Sequence, residues 1–336
     1  MKAAIAAIEY HLPESVLGTD DLAREFPQWS VEKIESKTGI RERHIAAENE
    51  CASDLGIAAA RKLFASGAAQ PADIDFLLFC TQSPDYFLPA TACLIQTALG
   101  IPTSAGALDF NLGCSGFVYG LGLAKGLIET GQASSVLLIT AETYSKFIHP
   151  RDRSVRTIFG DAAAATLLRA EDRDTELIGP FVYGTDGAGA GNLMVAAGGM
   201  RKPLAGEAAV EDGEGNWRGP GNLYMNGAEL FSFTMTAVPA SVNALLHRTN
   251  TTLADYDLFV FHQANRYMLN HLRKSLAIPE ERFCIALEHC GNTVSSTIPI
   301  ALKQAVGEGR LKAGDRVMLL GFGVGYSWGA TSVVWI

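Results

Sequence analysis

Charge is scarce in this chain, and the cysteine spacing of a disulfide framework or a zinc site is missing. Of its 336 residues, 19% are charged and 48% are hydrophobic, the balance of a soluble globular protein. Cations are the minority, leaving a formal net charge of -9, which disfavours nonspecific binding to nucleic acid or to a membrane surface. The six cysteines, Cys51, Cys80, Cys93, Cys114, Cys284 and Cys290, form no CxxC pair and sit mostly in apolar runs. They read as reduced thiols of a cytoplasmic protein, with no bound metal expected. No apolar run is long enough to span a membrane. Residues 1–8 are apolar but too few for a secretion signal, and they run into Glu9-Tyr10-His11 with no small-residue cleavage site. They are expected to form a buried first strand.

What the chain does contain is a repeat. The string Ala72-Asp73-Ile74-Asp75-Phe76-Leu77-Leu78-Phe79-Cys80 returns as Ala254-Asp255-Tyr256-Asp257-Leu258-Phe259-Val260-Phe261-His262, with His262 in the place of Cys80. Residues 110–131 match residues 288–309 without a gap, and Cys114 falls opposite Asn292. The copies differ where chemistry would be done, so one site assembled from both halves is expected. A chain of this length exceeds one ordinary core. We expect an N-terminal half over 1–172, connecting and entrance loops over 173–220, and a C-terminal half over 221–336. Short apolar runs at 76–79, 136–140, 258–261 and 317–320 alternate with longer helical patterns, the signature of an α/β layered fold whose strands are covered on both faces. Residues 114–129 are apolar nearly all round, with Gly116, Gly120 and Gly122 leaving room for close neighbours. Such a helix belongs in the middle of the protein.

Three residues stand out as chemistry. Cys114 lies between an apolar strand and the buried helix, so its sulfur is expected near a helix N-terminus, whose partial positive charge lowers a thiol's pKa. A small core cysteine is the competing reading; the Gly113-Cys114-Ser115-Gly116 turn favours a nucleophile. His262 closes an apolar strand, at the carboxyl end where α/β sheets place ligands. Asn292, in Gly291-Asn292-Thr293, taken alone reads as a turn or capping residue. Its relation by the repeat to Cys114 is what raises it.

Six strings then carry a resemblance that spans nearly the whole chain. They are Lys37-Thr38-Gly39-Ile40-Arg41-Glu42-Arg43-His44-Ile45-Ala46, Gly113-Cys114-Ser115-Gly116-Phe117, Phe159-Gly160-Asp161, His262-Gln263-Ala264-Asn265, Gly291-Asn292-Thr293 and Gly323-Val324-Gly325-Tyr326-Ser327-Trp328-Gly329. In these the sequence resembles the β-ketoacyl-acyl carrier protein synthase III family of the thiolase superfamily. The resemblance implies a duplicated thiolase fold with five αβαβα layers, a homodimer, and no cofactor beyond a coenzyme A thioester as substrate.

It further implies that Cys114 takes an acyl group from acyl-CoA or an acyl carrier, and that His262 and Asn292 serve a decarboxylative condensation with malonyl-acyl carrier protein. The pathway would be fatty-acid initiation or a specialised one. The acyl oxygen would accept backbone N–H groups of Cys114 and Val324, the latter standing where relatives commonly have glycine. Coenzyme A contacts carry over to Lys37, Arg153, Gly227 and Asn265, and carrier-protein docking to Gln263, Arg266, Tyr267, Arg273 and Lys274. The tryptophan expected across the adenine from Arg153 is Lys33 here, with Trp29 nearby. Two other readings remain: transfer of the acyl group to a hydroxyl or amine without a carbon–carbon bond, and a catalytically silent carrier-binding partner.

Overall fold

The two copies of the repeat use their acidic residues identically. In a computed structural model describing residues 1–204 and 206–336, Asp73 and Asp255 each end a single 3-10 turn, Pro71–Asp73 and Leu253–Asp255. Their carboxylates accept the N–H of Gln70 at 2.8 Å and of Thr252 at 2.7 Å, closing the start of each turn. Two residues on, Asp75 accepts N–H groups of Ser134 and Ser135, and Asp257 accepts that of Arg316. The recurring Asp-x-Asp therefore caps a turn and ties the following strand to its neighbour.

The first sheet holds β1 (Lys2–His11), β2 (Phe76–Cys80), β3 (Gly106–Phe110), β4 (Ser135–Glu142) and β5 (Ala162–Glu171), in the order β1-β5-β4-β2-β3. The second holds β6 (Ile178–Thr185), β7 (Leu258–Phe261), β8 (Arg316–Gly323) and β9 (Ser327–Val334), in the order β7-β8-β9-β6. Strand β2 runs parallel to β4 as β7 does to β8, and the next pairing outward is antiparallel in both sheets. The sheets thus match strand for strand. Only β3 lacks a full counterpart, reduced in the second half to one bridge between Phe259 and Phe283. The segment expected to be connection, 173–220, is not all connection. It contributes β6, which pairs with β9 and forms the far edge of the second sheet.

Alternation along the strands builds the layers. Leu77, Phe79, Leu137 and Ile139 face outward onto helices α1 (Ala52–Ala65) and α2 (Thr91–Leu99). Leu78 and Leu138 face inward onto α3 (Gly116–Glu129). In the second sheet, Phe259, Phe261, Met318 and Leu320 meet α4 (Gly227–Thr249) and α5 (Arg266–Ser275). Leu258, Val260 and Leu319 share the middle cluster with Phe117, Val118 and Leu121 of α3 and Ile298, Ala301 and Leu302 of α6 (Thr297–Gly307). Five layers result, helix, sheet, helix pair, sheet, helix. A Cβ on Gly120 would stand 2.7 Å from the Leu138 side chain, so glycine is what lets α3 lie flat on the sheet. Among the described residues, no helix is long and apolar enough to cross a membrane.

The middle helices depart from symmetry at one end. Where α3 begins at Gly116, the second copy makes a tight turn over Val294–Ser296 before α6. Val294 has a φ of 55°, in the left-handed region that costs a β-branched residue most. That strain lies two residues from Asn292.

Candidate active site

Cys114 leaves β3 through the turn that starts α3 and is 5% exposed. The two glycines of β8 that face it allow this depth. A Cβ on Gly321 would meet the Cys114 carbonyl oxygen at 2.7 Å, and one on Gly323 would meet Sγ at 2.9 Å. The backbone N–H groups of Val324 and of Cys114 itself donate to Sγ. The expected lowering of the thiol pKa is not what the structure gives. Burial, reinforced by the nearby Glu142 carboxyl, pushes Cys114 up to about 12, and the two N–H groups only partly offset this. At neutral pH Cys114 is a protonated thiol.

His262 follows β7 and is 2% exposed. Its backbone N–H donates to Leu320 of β8, its Nδ1 lies 2.8 Å from Thr297 Oγ1, and its ring packs edge-on to Phe322. Burial drives its pKa down to about 3, opposed by a hydrogen bond with the Val294 backbone, so the imidazole is neutral at physiological pH. Asn292 is held across the halves: its N–H donates to the Ile158 carbonyl at 3.0 Å, and its own carbonyl accepts the Gly160 N–H at 3.1 Å. Its Oδ1 accepts the Val294 N–H. This local bond leaves the Nδ2 hydrogens free for a ligand.

These three side chains line one cavity of about 680 Å³. Its other walls are apolar: Phe159, Leu193, Met225, Leu230, Met268 and Phe322, with Gly227 and Asn265 toward the opening. A second, open pocket of about 880 Å³ lies at the surface over Trp29, Lys37, Thr38 and Tyr267. Ile158 and Asn265 line both, so the surface pocket adjoins the cavity that holds Sγ. At its mouth the Trp29 ring has Lys33 Nζ at 5.2 Å, Lys37 Nζ at 5.5 Å and the Arg153 guanidinium at 5.5 Å. The basic residues expected on the docking face are less free than their sequence implies. Arg266 pairs with Glu288 and Arg273 with Glu280; Tyr267 is exposed. Gln263 is out of reach of any carrier protein. It is 1% exposed and is spent on the Phe261 and Cys284 carbonyls and the Ala286 N–H.

Sequence reasoning missed Glu142. At the end of β4, its fully buried carboxyl accepts the Gln82 N–H, the Ser295 hydroxyl and the Ser83 hydroxyl. It joins the first sheet to the Asn292 turn, and burial raises its pKa to about 8. The apolar walls Leu193 and Met225, on short strands with no signal beyond polarity, and Leu230, in the first turn of α4, were also missed.

Comparison with known proteins fits this geometry. Residues 108–187 match the 3-oxoacyl-(acyl-carrier-protein) synthase III family, and residues 246–335 match the C-terminal part of the same synthase. The β-ketoacyl-(acyl-carrier-protein) synthase III of Symbiobacterium thermophilum is 37% identical over 98% of this chain and 97% of its own. The chain belongs to the β-ketoacyl-acyl carrier protein synthase III family. A solved 3-oxoacyl-(acyl-carrier-protein) synthase III is 56% identical, with a TM-score of 0.99 and full coverage of both chains. A 3-oxoacyl-(acyl-carrier protein) synthase of Burkholderia xenovorans is 37% identical with a TM-score of 0.92, covering 100% of this chain and 94% of its own. The fold is the thiolase fold, and the synthase III membership makes the chain a condensing enzyme of fatty-acid biosynthesis.

Proposed function

We propose that the enzyme moves an acyl group from an acyl-CoA, or an acyl carrier, to Cys114, then condenses it with malonyl-acyl carrier protein. What carries the reading is the single buried cavity shared by Sγ, the His262 ring and the Asn292 amide. In the first step Sγ attacks the thioester carbonyl, and the developing oxyanion accepts the N–H groups of Cys114 and Val324. The thiol proton departs with the leaving thiolate as free coenzyme A. The high thiol pKa makes this coupled transfer preferable to a standing thiolate.

In the second step the malonyl thioester loses CO2, and the bond's electron pair enters an enolate whose oxygen needs donors that will not protonate carbon. A neutral imidazole N–H and the Asn292 Nδ2–H meet that need in a low-dielectric site. The enolate carbon attacks the acyl carbonyl, Sγ leaves with the pair and regains a proton, and a β-ketoacyl thioester is released. Each oxyanion donor is worth roughly 3 kcal/mol of barrier.

The mouth fits a nucleotide thioester. Trp29 supplies the flat face that Lys33 lacks, with Arg153 on the same ring and Lys37 available to phosphate oxygens. Carrier docking would rest on Tyr267 and Lys274, with Arg266 and Arg273 contributing what their ion pairs release. A homodimer is expected through β3, an edge strand flanked by exposed Leu108, Leu123 and Tyr183. The test is direct. Incubation with acyl-CoA should add one acyl mass, lost in Cys114→Ala, and later addition of malonyl-acyl carrier protein should release CO2. If no starter yields a β-ketoacyl product, the reading fails.

A further inference from the structure

Among the described residues, one of the largest fully buried side chains is a cation. Arg43, at 0% exposure, sits on the short strand Glu42–Ile45 within the Gly39-Ile40-Arg41-Glu42-Arg43 string. Among the described residues no carboxylate lies within 4.0 Å of it. Its guanidinium is spent on neutral oxygens: Nε and Nη2 both donate to the Thr157 carbonyl, at 3.1 and 2.5 Å, and Nη1 donates to Thr19 Oγ1 at 3.0 Å. Nη2 also reaches the Ile40 carbonyl at 3.4 Å. Burial lowers its pKa only to about 10, so it stays charged at neutral pH. A buried charge with no carboxylate in contact, and only Glu35 acting on it from farther off, is costly, and fold stability is poorly served by one when an apolar side chain would fill the space.

What the charge holds is informative. The Thr157 carbonyl, gripped by two arms of the fork, directly precedes Ile158 and Phe159, which wall the cavity. Ile158 O accepts the Asn292 N–H and Gly160 N donates to the Asn292 carbonyl, so the residues after Thr157 seat Asn292 from both sides. The stem of Arg43 packs under the same turn. A Cβ on Gly291 would stand 3.2 Å from Arg43 Cγ, and one on Gly160 would stand 3.4 Å from Arg43 Cβ. Cys114 shares no hydrogen bond with this assembly among those described, and meets it only through apolar packing in the cluster that holds Ile158 and Phe159. Its N–H donors come from its own turn and from Val324.

We propose that Arg43 is a positioning residue for Asn292: by pinning the Thr157 carbonyl it fixes the 158–160 segment that seats the amide, so that condensation depends on it more steeply than acylation of Cys114, which meets Thr157 and Ile158 only as walls of the donor's entrance. The inference rests on the condensing role given to Asn292 above. Forked hydrogen bonds from a charged guanidinium are strong and geometrically exacting, and a lysine ammonium supplies the charge without the fork.

The experiment measures both half-reactions in the full-length chain. Acyl mass gained on Cys114 from an acyl-CoA reports the first, and CO2 released by pre-acylated enzyme on adding malonyl-acyl carrier protein reports the second. Arg43→Lys and Arg43→Met should acylate within about threefold of the parent chain, while CO2 release falls roughly 10- to 100-fold, the range for an Å-scale misplacement of a reacting group. Thr19→Val removes the Nη1 partner, together with the Thr19 hydroxyl's bonds to the Ile40 and Arg41 carbonyls, but leaves the grip on Thr157 intact; it should give a smaller fall confined to the same step, which keeps the test usable if Arg43→Met does not fold. Equal losses in both half-reactions, or undiminished condensation by folded Arg43→Lys or Arg43→Met, would overturn the assignment. A parent chain that acylates but never condenses would overturn the condensing role as well, whereas a competent parent with equal losses overturns the Arg43 assignment alone.

Discussion

The hydroxyl oxygen of Thr297 stands 2.8 Å from His262 Nδ1 and 3.0 Å from the Val294 carbonyl oxygen, so its single proton has two acceptors in reach. Donation to His262 leaves Nδ1 unprotonated and puts the imidazole proton on Nε2, the nitrogen that the proposed condensation turns to the enolate. Donation to Val294 would give the opposite tautomer. Condensation therefore requires the first arrangement. Thr297→Val should lower CO2 release by pre-acylated enzyme by roughly 10-fold or more, the usual range for removing such an orienting partner, and Thr297→Ser should restore most of it. Acylation of Cys114, followed by mass, should be nearly unchanged in both.

Two of the buried titratable groups, Glu142 and His262, act on stability in opposite pH windows. Glu142 rises from 4.5 to about 8, so the folded chain keeps a proton that the unfolded chain releases. Its favourable contribution is complete below about pH 4.5 and is lost as pH rises to about 8. His262 falls from 6.5 to about 3, so its contribution is complete above about pH 6.5 and is lost as pH drops toward 3. Glu142→Gln should then lose less Tm than the parent chain between about pH 6 and pH 9, as read by calorimetry. Because the carboxylate also raises the Cys114 pKa, the same variant should be alkylated faster by iodoacetamide at the alkaline end.

Trp29 should matter for the donor and not for the chemistry. Its ring faces the surface pocket beside Arg153 and Lys37. Trp29→Ala should raise KM for an acyl-CoA about 5- to 30-fold, the worth of one desolvated cation–π or stacking contact. The kinetics of a truncated acyl-pantetheine donor should not move. An equal effect on both donors would place the ring's role elsewhere.

Much of this was legible before any coordinates, and for a physical reason. The strings around Cys114, His262 and Asn292 are local, and each ends a strand or starts a helix whose apolar pattern is strong. What stayed hidden depends on distant parts of the chain meeting. Arg43 and Thr157 are 114 positions apart, and no spacing rule joins them. The direction of the Cys114 shift was misjudged because a helix N-terminus can be read from a sequence, whereas burial by Gly321 and Gly323 arises only from packing. The family resemblance puts Gln263 on the docking face, where local sequence says nothing of depth; its amide instead completes hydrogen bonds inside.

A charged residue on the β3 flank should separate the expected dimer. Leu123→Arg places a cation in the exposed apolar strip beside Tyr183, and light scattering should give half the parent mass. An unchanged mass would put the contact elsewhere.

The seating of Asn292 has one further consequence. Both of its backbone bonds run to Ile158 and Gly160, residues of the other half, so the amide has no fixed aim until the halves are joined. Neither half could run the condensation by itself. Carrying both copies in one chain keeps the amide and its seat in fixed one-to-one supply, whatever the concentration of the protein.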